Sequence, residues 1–371
     1  MHPVLLRILK ILGIAVLISV VLTTIILGIV IWKINEQIVL FETHSGRSVE
    51  QIVTEIERGT LRDPILQDGR KNILLLGGDE IVGRDSSQGV LTDTILIASI
   101  SLDEGDVVLL SIPRDLWIPS YRTKINALHY YGEQEAQRAL EAIPDLEDDE
   151  LDAIRTSLLH EVLDQLTGLE MHHTVFLSLD DVADVVDLVE GVEVYVERSF
   201  VDERFPRSGV DVSTETDPLV LYETIQFEQG MQEMNSEQVL QFLRSRNSVD
   251  EIEGSDLGRI ARQQAVFEAL ARKVLHPNTL FSAVRLGKLF AFYADRYESS
   301  ISIEEIFSVL SYFAHIEPSP EIMVRSIEIP IEAGKAEGLL YTPPISKYGL
   351  WVYEAWDPTF QSIADFVQEQ L

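Results

Sequence analysis

Two aspartates and six basic side chains stand where apolar stretches of this chain give way to loops. They are Asp79 and Asp93, with Arg114, Lys124, Arg244, Arg246, Arg259 and Arg262, and Asp115 lies directly beside Arg114. Carboxylates joined by phosphate oxygens are a common way to hold Mg²⁺. Arginine forks match phosphate geometry with paired donors. The chemistry such a set offers is capture of an anionic, phosphorylated ligand at the border of an apolar layer, where an unpartnered charge is costly. Spacing along the chain does not by itself bring these groups together.

The elements that would position them are readable. Leu91-Thr92-Asp93-Thr94 leads into an apolar run, Ile95 to Ser101, and a second run follows from Asp106 to Ile112. Both are near-continuous rather than alternating, which predicts strands in a sheet covered on both faces. Pro113 lacks an amide donor and should close its strand, leaving Arg114 beyond the sheet edge. Upstream, Ile73 to Leu76 reads as a strand running into Gly77-Gly78-Asp79, where the glycines permit backbone shapes closed to other residues.

Charge limits the function classes. The 371 residues carry 29 basic and 61 acidic side chains, a net charge of −32. A nucleic-acid binder needs a basic face, so that class is excluded. There is no cysteine, hence no disulfide framework, thiolate metal site or cysteine nucleophile. Walker A, Gly-x-Gly-x-x-Gly, Gly-x-Ser-x-Gly and His-Glu-x-x-His patterns are all missing. His172-His173 has no further histidine at ligand spacing and reads as structural or surface.

Ile11 to Trp32 is uncharged, with Arg7 and Lys10 before it and Lys33 after it. Its length suits a hydrocarbon core of about 30 Å and exceeds the apolar region of a cleaved signal peptide. It is expected to be an uncleaved transmembrane anchor with a cytoplasmic tail, 1–10, and the acidic body outside the cell membrane. Residues 33–70 are expected as an extracytoplasmic stalk, 71–275 as the core, and 276–371 as helices and strands completing the same domain.

Further along, Pro144 to Asp152 is a charge run expected to be a solvated loop and helix start. Ala153 to Leu166 is a helix ending at Thr167-Gly168. Val175 to Leu179 and Val192 to Val196 read as strands around a helix, Asp180 to Val189. Residues 197–229 look loop-like, with Pro206, Gly209 and Pro218. Asn235 or Ser236 can cap a helix with the stripe Val239, Leu240 and Leu243. A long helix begins near Arg259 and places Arg259, Arg262, Gln263 and Val266 on one face. Arginines at a helix start suit a phosphate; alternatively, Arg259 and Arg262 pair with Asp250, Glu251, Glu253 or Asp256 just upstream. Ile322 to Ile329 and Gly349 to Tyr353 read as late strands, and Phe360 to Leu371 as a final amphipathic helix.

Taken in order, Gly77-Gly78-Asp79, Thr92-Asp93-Thr94, Ser111-Ile112-Pro113-Arg114-Asp115, Lys124-Ile125-Asn126, Arg244-Ser245-Arg246 and Gly258 to Gln264 resemble the LytR-CpsA-Psr family over about residues 71–275. The resemblance implies an α/β fold: a mixed central sheet with helices on both faces, preceded by one transmembrane helix. It implies a phosphotransferase that moves a glycopolymer from a polyprenyl-pyrophosphate carrier to a peptidoglycan hydroxyl. On that reading Asp79 and Asp93 hold Mg²⁺. Arg114, Lys124, Arg244, Arg246, Arg259 and Gln263 bind the pyrophosphate, and Asp93, Arg114 and Asp115 are catalytic. Apolar side chains between sheet and helices enclose the prenyl tail. Leu91 stands where many members have arginine, and Arg84 is the candidate substitute. Two other expectations fit the same residues: a non-catalytic protein that binds lipid-linked polymer, and a prenyl-pyrophosphate phosphatase with water as acceptor.

Overall fold

The computed structural model describes residues 32–60, 66–78, 92–102, 104–207, 209–210, 216–250, 252–296, 301–306, 308–309, 323–331 and 338–371. Asp79, Arg84, Leu91 and residues 11–31 of the expected anchor lie outside the described residues. Among those described, no helix is long and apolar enough to cross a membrane.

The chain begins with a helix over 32–45 (α1) and a second, Val49–Thr60 (α2). Three strands follow: β1 Arg70–Gly78, β2 Thr94–Ser101 and β3 Asp106–Ser111. A small hairpin, β4 Trp117–Ile118 and β5 Thr123–Lys124, leads into α3 Leu128–Ala142 and α4 Asp148–Thr167. Next come β6 His173–Ser178, α5 Leu179–Leu188, β7 Val192–Val196 and β8 Phe200–Pro206. The short α6 Pro218–Leu221, β9 Tyr222–Phe227 and β10 Gly230–Met234 precede α7 Ser236–Arg244 and α8 Asp256–Leu275. The C-terminal part holds α9 Pro277–Leu280, α10 Ala283–Arg296, β11 Met323–Glu328, the pair β12 Leu340–Tyr341 and β13 Glu354–Ala355, and α11 Gln361–Gln370.

The central sheet has the order β11-β3-β2-β1-β6. β2 is antiparallel to both neighbours, while β6 runs parallel to β1 and β11 parallel to β3. The sheet is therefore mixed and carries helices on both faces. Alternate residues divide between the faces as a period of two requires. Leu74, Leu76, Ile95, Ile97, Val108 and Leu110 pack with Leu128, Leu159, Leu163, Ile363 and Val367 from α3, α4 and α11. Leu96, Ala98, Val107 and Leu109 pack on the other side with Val182, Val239, Phe242 and Val266 from α5, α7 and α8. Every residue of β3 is buried, which is why it reads as an unbroken apolar run.

This topology brings the functional loops to one edge. β1, β3, β6 and β11 end there, and β2 begins there: Gly77 is registered on Thr94, Gly78 on Ser178, and Ser111 on Glu328. Gly77 is required by the close approach of β2, since a Cβ on it would lie 2.8 Å from the Thr94 Cβ.

Two expected segments differ. Residues 197–229, read as loop from Pro206, Gly209 and Pro218, contain the antiparallel pair β8–β9, with an irregularity between Asp202 and Phe205 that breaks the alternation. Phe200, Phe205, Ile225 and Phe227 bury its inner side. Gly349 to Tyr353 is not a strand: Tyr353 makes a single bridge to Leu116, and the pairing residues are Glu354–Ala355. Helix starts also move towards the N-terminus. α4 begins inside the charge run because Glu147 and Glu150 form a capping box, and α8 begins at Asp256 because Ser255 caps it. Asn235 caps α7, accepting from Gln238 N at 2.9 Å.

Candidate anion-binding site

The site is framed first by backbone. Asp93 N donates to Gly77 O at 2.7 Å, tying the entry of β2 to the end of β1. The carbonyl of Asn126 accepts from Thr92 N at 3.4 Å and from Thr92 Oγ1 at 3.3 Å. Asn126 N in turn donates to Arg114 O at 3.2 Å. Three separated motifs thus hold one another through main-chain groups. Tyr353 N, far along the chain, donates to Asp115 O at 3.0 Å and closes the frame.

On this frame the side chains alternate in sign. Arg114 Nη1 is hydrogen-bonded to Asp93 Oδ1, while its Nε lies 3.3 Å from Asp115 Oδ2. Lys124 Nζ donates to Asp115 Oδ1. Arg246 Nη2 approaches Asp93 Oδ2 at 3.8 Å. Among the described residues, two carboxylates, Asp93 and Asp115, thus alternate with three cations, Arg114, Lys124 and Arg246. Asp115 is buried and Arg246 is half exposed, so the row runs from the interior to solvent. An arriving anion can take the outward donors of Arg114 and Arg246 while Asp115 keeps Arg114 and Lys124 in place.

Arg244 and Arg246 reach the same edge from α7 by a different device. Ser245 between them is fully buried, and its Oγ donates to Asp202 Oδ2 at 2.8 Å. The same oxygen accepts from Arg246 N at 3.2 Å and Asn247 N at 3.1 Å. With the serine drawn inward, the flanking arginines point outward, and Arg244 pairs with Asp180 at the start of α5, 3.3 Å away. Asp202 and Asp180 were both missed by the sequence reading. Asp202 lay in the supposed loop, and its one signal is a carboxylate set among Phe200, Val201 and Phe205.

The expectations for α8 divide. Arg259 and Gln263 are one turn apart and both buried, whereas the contacts that fix the ion-pair row come from Asp93, Arg114, Asp115, Lys124 and Arg246. Arg262 is a structural residue. It donates to Phe242 O, Ser245 O and both a carbonyl and a carboxylate oxygen of Glu253, all at 2.7–2.9 Å. Its guanidinium also lies 5.0 Å from the Phe200 ring centre. The local pairing with Glu253 is the outcome for Arg262.

His172 and His173 are structural as well. His172 Nδ1 accepts from Asn72 N at 3.0 Å, and His173 faces Glu305 at 2.8 Å. Both line a cavity of about 750 Å³ between α3, α4 and β6 that also meets His129, His160, Leu76 and Phe176. Burial lowers the pKa of His129, His160 and His172.

For a divalent cation the donor set suits a hard ion in kind. Asp93 offers carboxylate oxygens on a partly exposed side chain next to the cations, and Asp79 lies outside the described residues. Among the described residues no group of three or more His, Asp or Glu is arranged to hold a metal. A cation here would need oxygens from its ligand, as Mg²⁺ on a diphosphate does.

The fold is a mixed α/β sheet with a row of paired charges at one edge. The chain belongs to the LytR_cpsA_psr family, whose model matches residues 41–347. The cell wall biosynthesis protein LcpA of Corynebacterium glutamicum is 28% identical over 285 residues, which are 69% of this chain and 49% of LcpA. The chain thus spans about half the length of that relative. Among solved structures, B. subtilis TagV aligns with a TM-score of 0.50 at 18% identity, covering 82% of this chain and 98% of TagV. TagT bound to LIIa-WTA aligns with a TM-score of 0.50 at 18% identity, covering 84% of this chain and 94% of TagT.

Proposed function

We propose that this protein is a membrane-anchored phosphotransferase that moves a glycopolymer from a polyprenyl-pyrophosphate carrier to a hydroxyl of peptidoglycan. The observation that carries the reading is the row Asp93–Arg114–Asp115–Lys124 with Arg246, which gathers alternating charges from separate motifs at one sheet edge. Family membership and the likeness to TagT bound to LIIa-WTA support it. On this reading Ile11 to Trp32 crosses the membrane, the N-terminus is cytoplasmic and the site faces outward.

The acceptor hydroxyl attacks the phosphorus that bears the glycan. A P–O bond forms to the acceptor, the bond to the bridging oxygen breaks, and polyprenyl phosphate leaves with the electron pair. Arg114 and Arg246 would bind the diphosphate oxygens and offset the charge that grows on the leaving group. Lys124 supports Arg114 through Asp115, and Arg244 adds a donor from the α7 side. Arg259 and Gln263 are the further proposed diphosphate ligands. Mg²⁺, held by Asp79 and Asp93, would supply Lewis-acid neutralisation of the diphosphate. Asp93 and Asp115 are the candidates to take the hydroxyl proton. Asp115 already accepts from two cations, which favours a positioning role for it. The tail needs an apolar enclosure. The cavity along β6 meets Leu76 and Phe176, but its lining also holds four histidines, Asp152 and Arg155, so it is not that enclosure.

The test uses the full chain in proteoliposomes with Mg²⁺, a prenyl-pyrophosphate-linked saccharide and peptidoglycan. Prenyl phosphate should appear only when acceptor is present, and Arg114→Ala should lower turnover on the order of a hundredfold, about 3 kcal/mol. Turnover with water alone would make the protein a phosphatase. Tight binding without turnover, or full activity of Arg114→Ala, would overturn the transferase reading.

A further inference from the structure

A second apolar feature lies away from the site. α1 is locked onto α10: the Phe41 and Phe290 ring centres are 6.0 Å apart, and the Arg47 guanidinium stands 5.4 Å from the Phe290 ring centre. Gly287 makes the approach possible, since a Cβ there would lie 3.0 Å from the His44 Cβ and 3.1 Å from Phe41 O. Where α1 meets the α9–α10 turn there is a groove of about 460 Å³, lined by Ile34, Ile38, Phe41, Leu280, Phe281 and Leu286. Its rim is uncovered: Phe281 is 87% exposed, Trp32 62% and Ile34 55%. A contiguous apolar rim of this kind marks a surface that meets a partner.

Two observations say which partner. The chain that enters α1 is the uncharged run from Ile11, so the groove opens where that run ends at Trp32. A cation sits beside it as well: Lys33 lines the groove, next to the exposed Trp32. An aromatic and a lysine flanking an apolar rim suit the boundary of an anionic lipid surface.

We propose that the α9–α10 turn is a second membrane contact, in which Leu280, Phe281 and Leu286 enter the lipid headgroup boundary beside Trp32 while Lys33 faces anionic headgroups. This rests on the reading of Ile11 to Trp32 as a membrane span. It adds that the body lies on the bilayer instead of hanging from one tether. Aromatic and basic side chains at such a boundary are the usual interfacial anchors.

The chain has no cysteine, so single labels are unambiguous. Phe281→Cys and, as a control, the exposed Ile143→Cys would each carry a polarity-sensitive fluorophore. The full chain would be reconstituted in phosphatidylglycerol–phosphatidylethanolamine vesicles with shallow spin-labelled lipid. The label at 281 should emit blue-shifted and be quenched by the lipid, and the label at 143 should do neither. Weaker quenching in the variant Lys33→Gln on anionic vesicles would confirm the headgroup contribution. A water-like, unquenched label at 281 on protein that resists alkaline extraction overturns the proposal while leaving the anchor intact. Extraction of the protein by alkali instead removes the anchor reading. Quenching at 281 by a second labelled copy in place of lipid assigns the surface to self-association and overturns the proposal.

Discussion

Replacing Asp202 by asparagine should disable the site from a distance. Asp202 is fully buried, and its carboxylate meets four donors. Oδ2 accepts from Ser245 Oγ, Arg246 N and Asn247 N, and Oδ1 accepts from Arg204 N at 2.9 Å. An amide offers only one acceptor oxygen. If that oxygen faces the 245–247 turn, the NH₂ meets Arg204 N–H donor to donor, and an unmet buried donor costs about 1–3 kcal/mol. The three remaining bonds lose charge assistance, about 1 kcal/mol each. A total near 4 kcal/mol should lower Tm by about 6 °C for a domain of roughly 300 residues. The turn that carries Arg244 and Arg246 is then released, so transfer should fall as far as in Arg246→Ala. The assay is turnover in proteoliposomes beside thermal unfolding, completed as a double-mutant cycle. Asp202→Asn on top of Arg246→Ala should cost little more activity than Arg246→Ala alone. A lowered Tm with intact turnover, or losses that add, would refute the claim that Asp202 acts by holding this turn.

Other expectations follow from the same contacts. Lys71 is buried and its ammonium reaches Glu305, whose pKa is lowered to about 2, first by the hydrogen bond with His173 and also by the one with Lys71. Because the folded value lies below the ordinary 4.5, this contribution is complete above pH 4.5 and is lost as the pH falls towards 2. Glu305→Gln should therefore lower stability at neutral pH and lose that difference in acid, as read by thermal unfolding across pH. His129, His160 and His172 are held below 6.5 by burial, so their contribution is present above that pH and declines below it. Substituting all three with glutamine should flatten the stability profile between pH 7 and 5. Arg262→Lys loses most of four hydrogen bonds and a ring contact, and should cost about 3 kcal/mol of stability by denaturant titration. Because one of those bonds is to Ser245 O, in the turn that carries Arg246, diphosphate affinity per folded molecule should fall too, but less than in Arg246→Ala. Gly77→Ala forces a Cβ to 2.8 Å from Thr94 and should cost about 1–3 kcal/mol, measured in the same way.

Much of the sheet was legible because burial on both faces writes itself into composition. β2 and β3 are apolar at nearly every position, and Pro113 closes the second run one residue past β3. Caps were legible for the same local reason, as at Asn235 and Gly168. β8 and β9 were hidden: the irregularity after Asp202 interrupts the period of two, and the prolines around them carry the stronger local signal. The Gly349 to Tyr353 segment misled in the opposite sense, since Trp351, Val352 and Tyr353 look strand-forming, yet Trp351 is exposed and only Tyr353 pairs, through a single bridge to Leu116. In the site, the row of charges was foreseen as residue types, and Arg262 as a local partner of Glu253. What spacing could not give was Asp202, three of whose four partners lie more than forty residues away and whose role exists only after β8 has folded.

The loops at the sheet edge are joined mainly by amides and carbonyls: Asp93 N to Gly77 O, Thr92 N to Asn126 O, Asn126 N to Arg114 O and Tyr353 N to Asp115 O. A scaffold fastened in this way does not depend on the identity of the side chains it displays. Arg246 stands on a turn held by the Asp202 side chain. Arg114, by contrast, can be exchanged for another functional group without unfastening the loop beneath it, so long as Lys124 stays to pair the buried Asp115. That makes this edge a suitable place to graft new anion specificities, and it predicts that such grafts will alter what is bound well before they alter whether the chain folds.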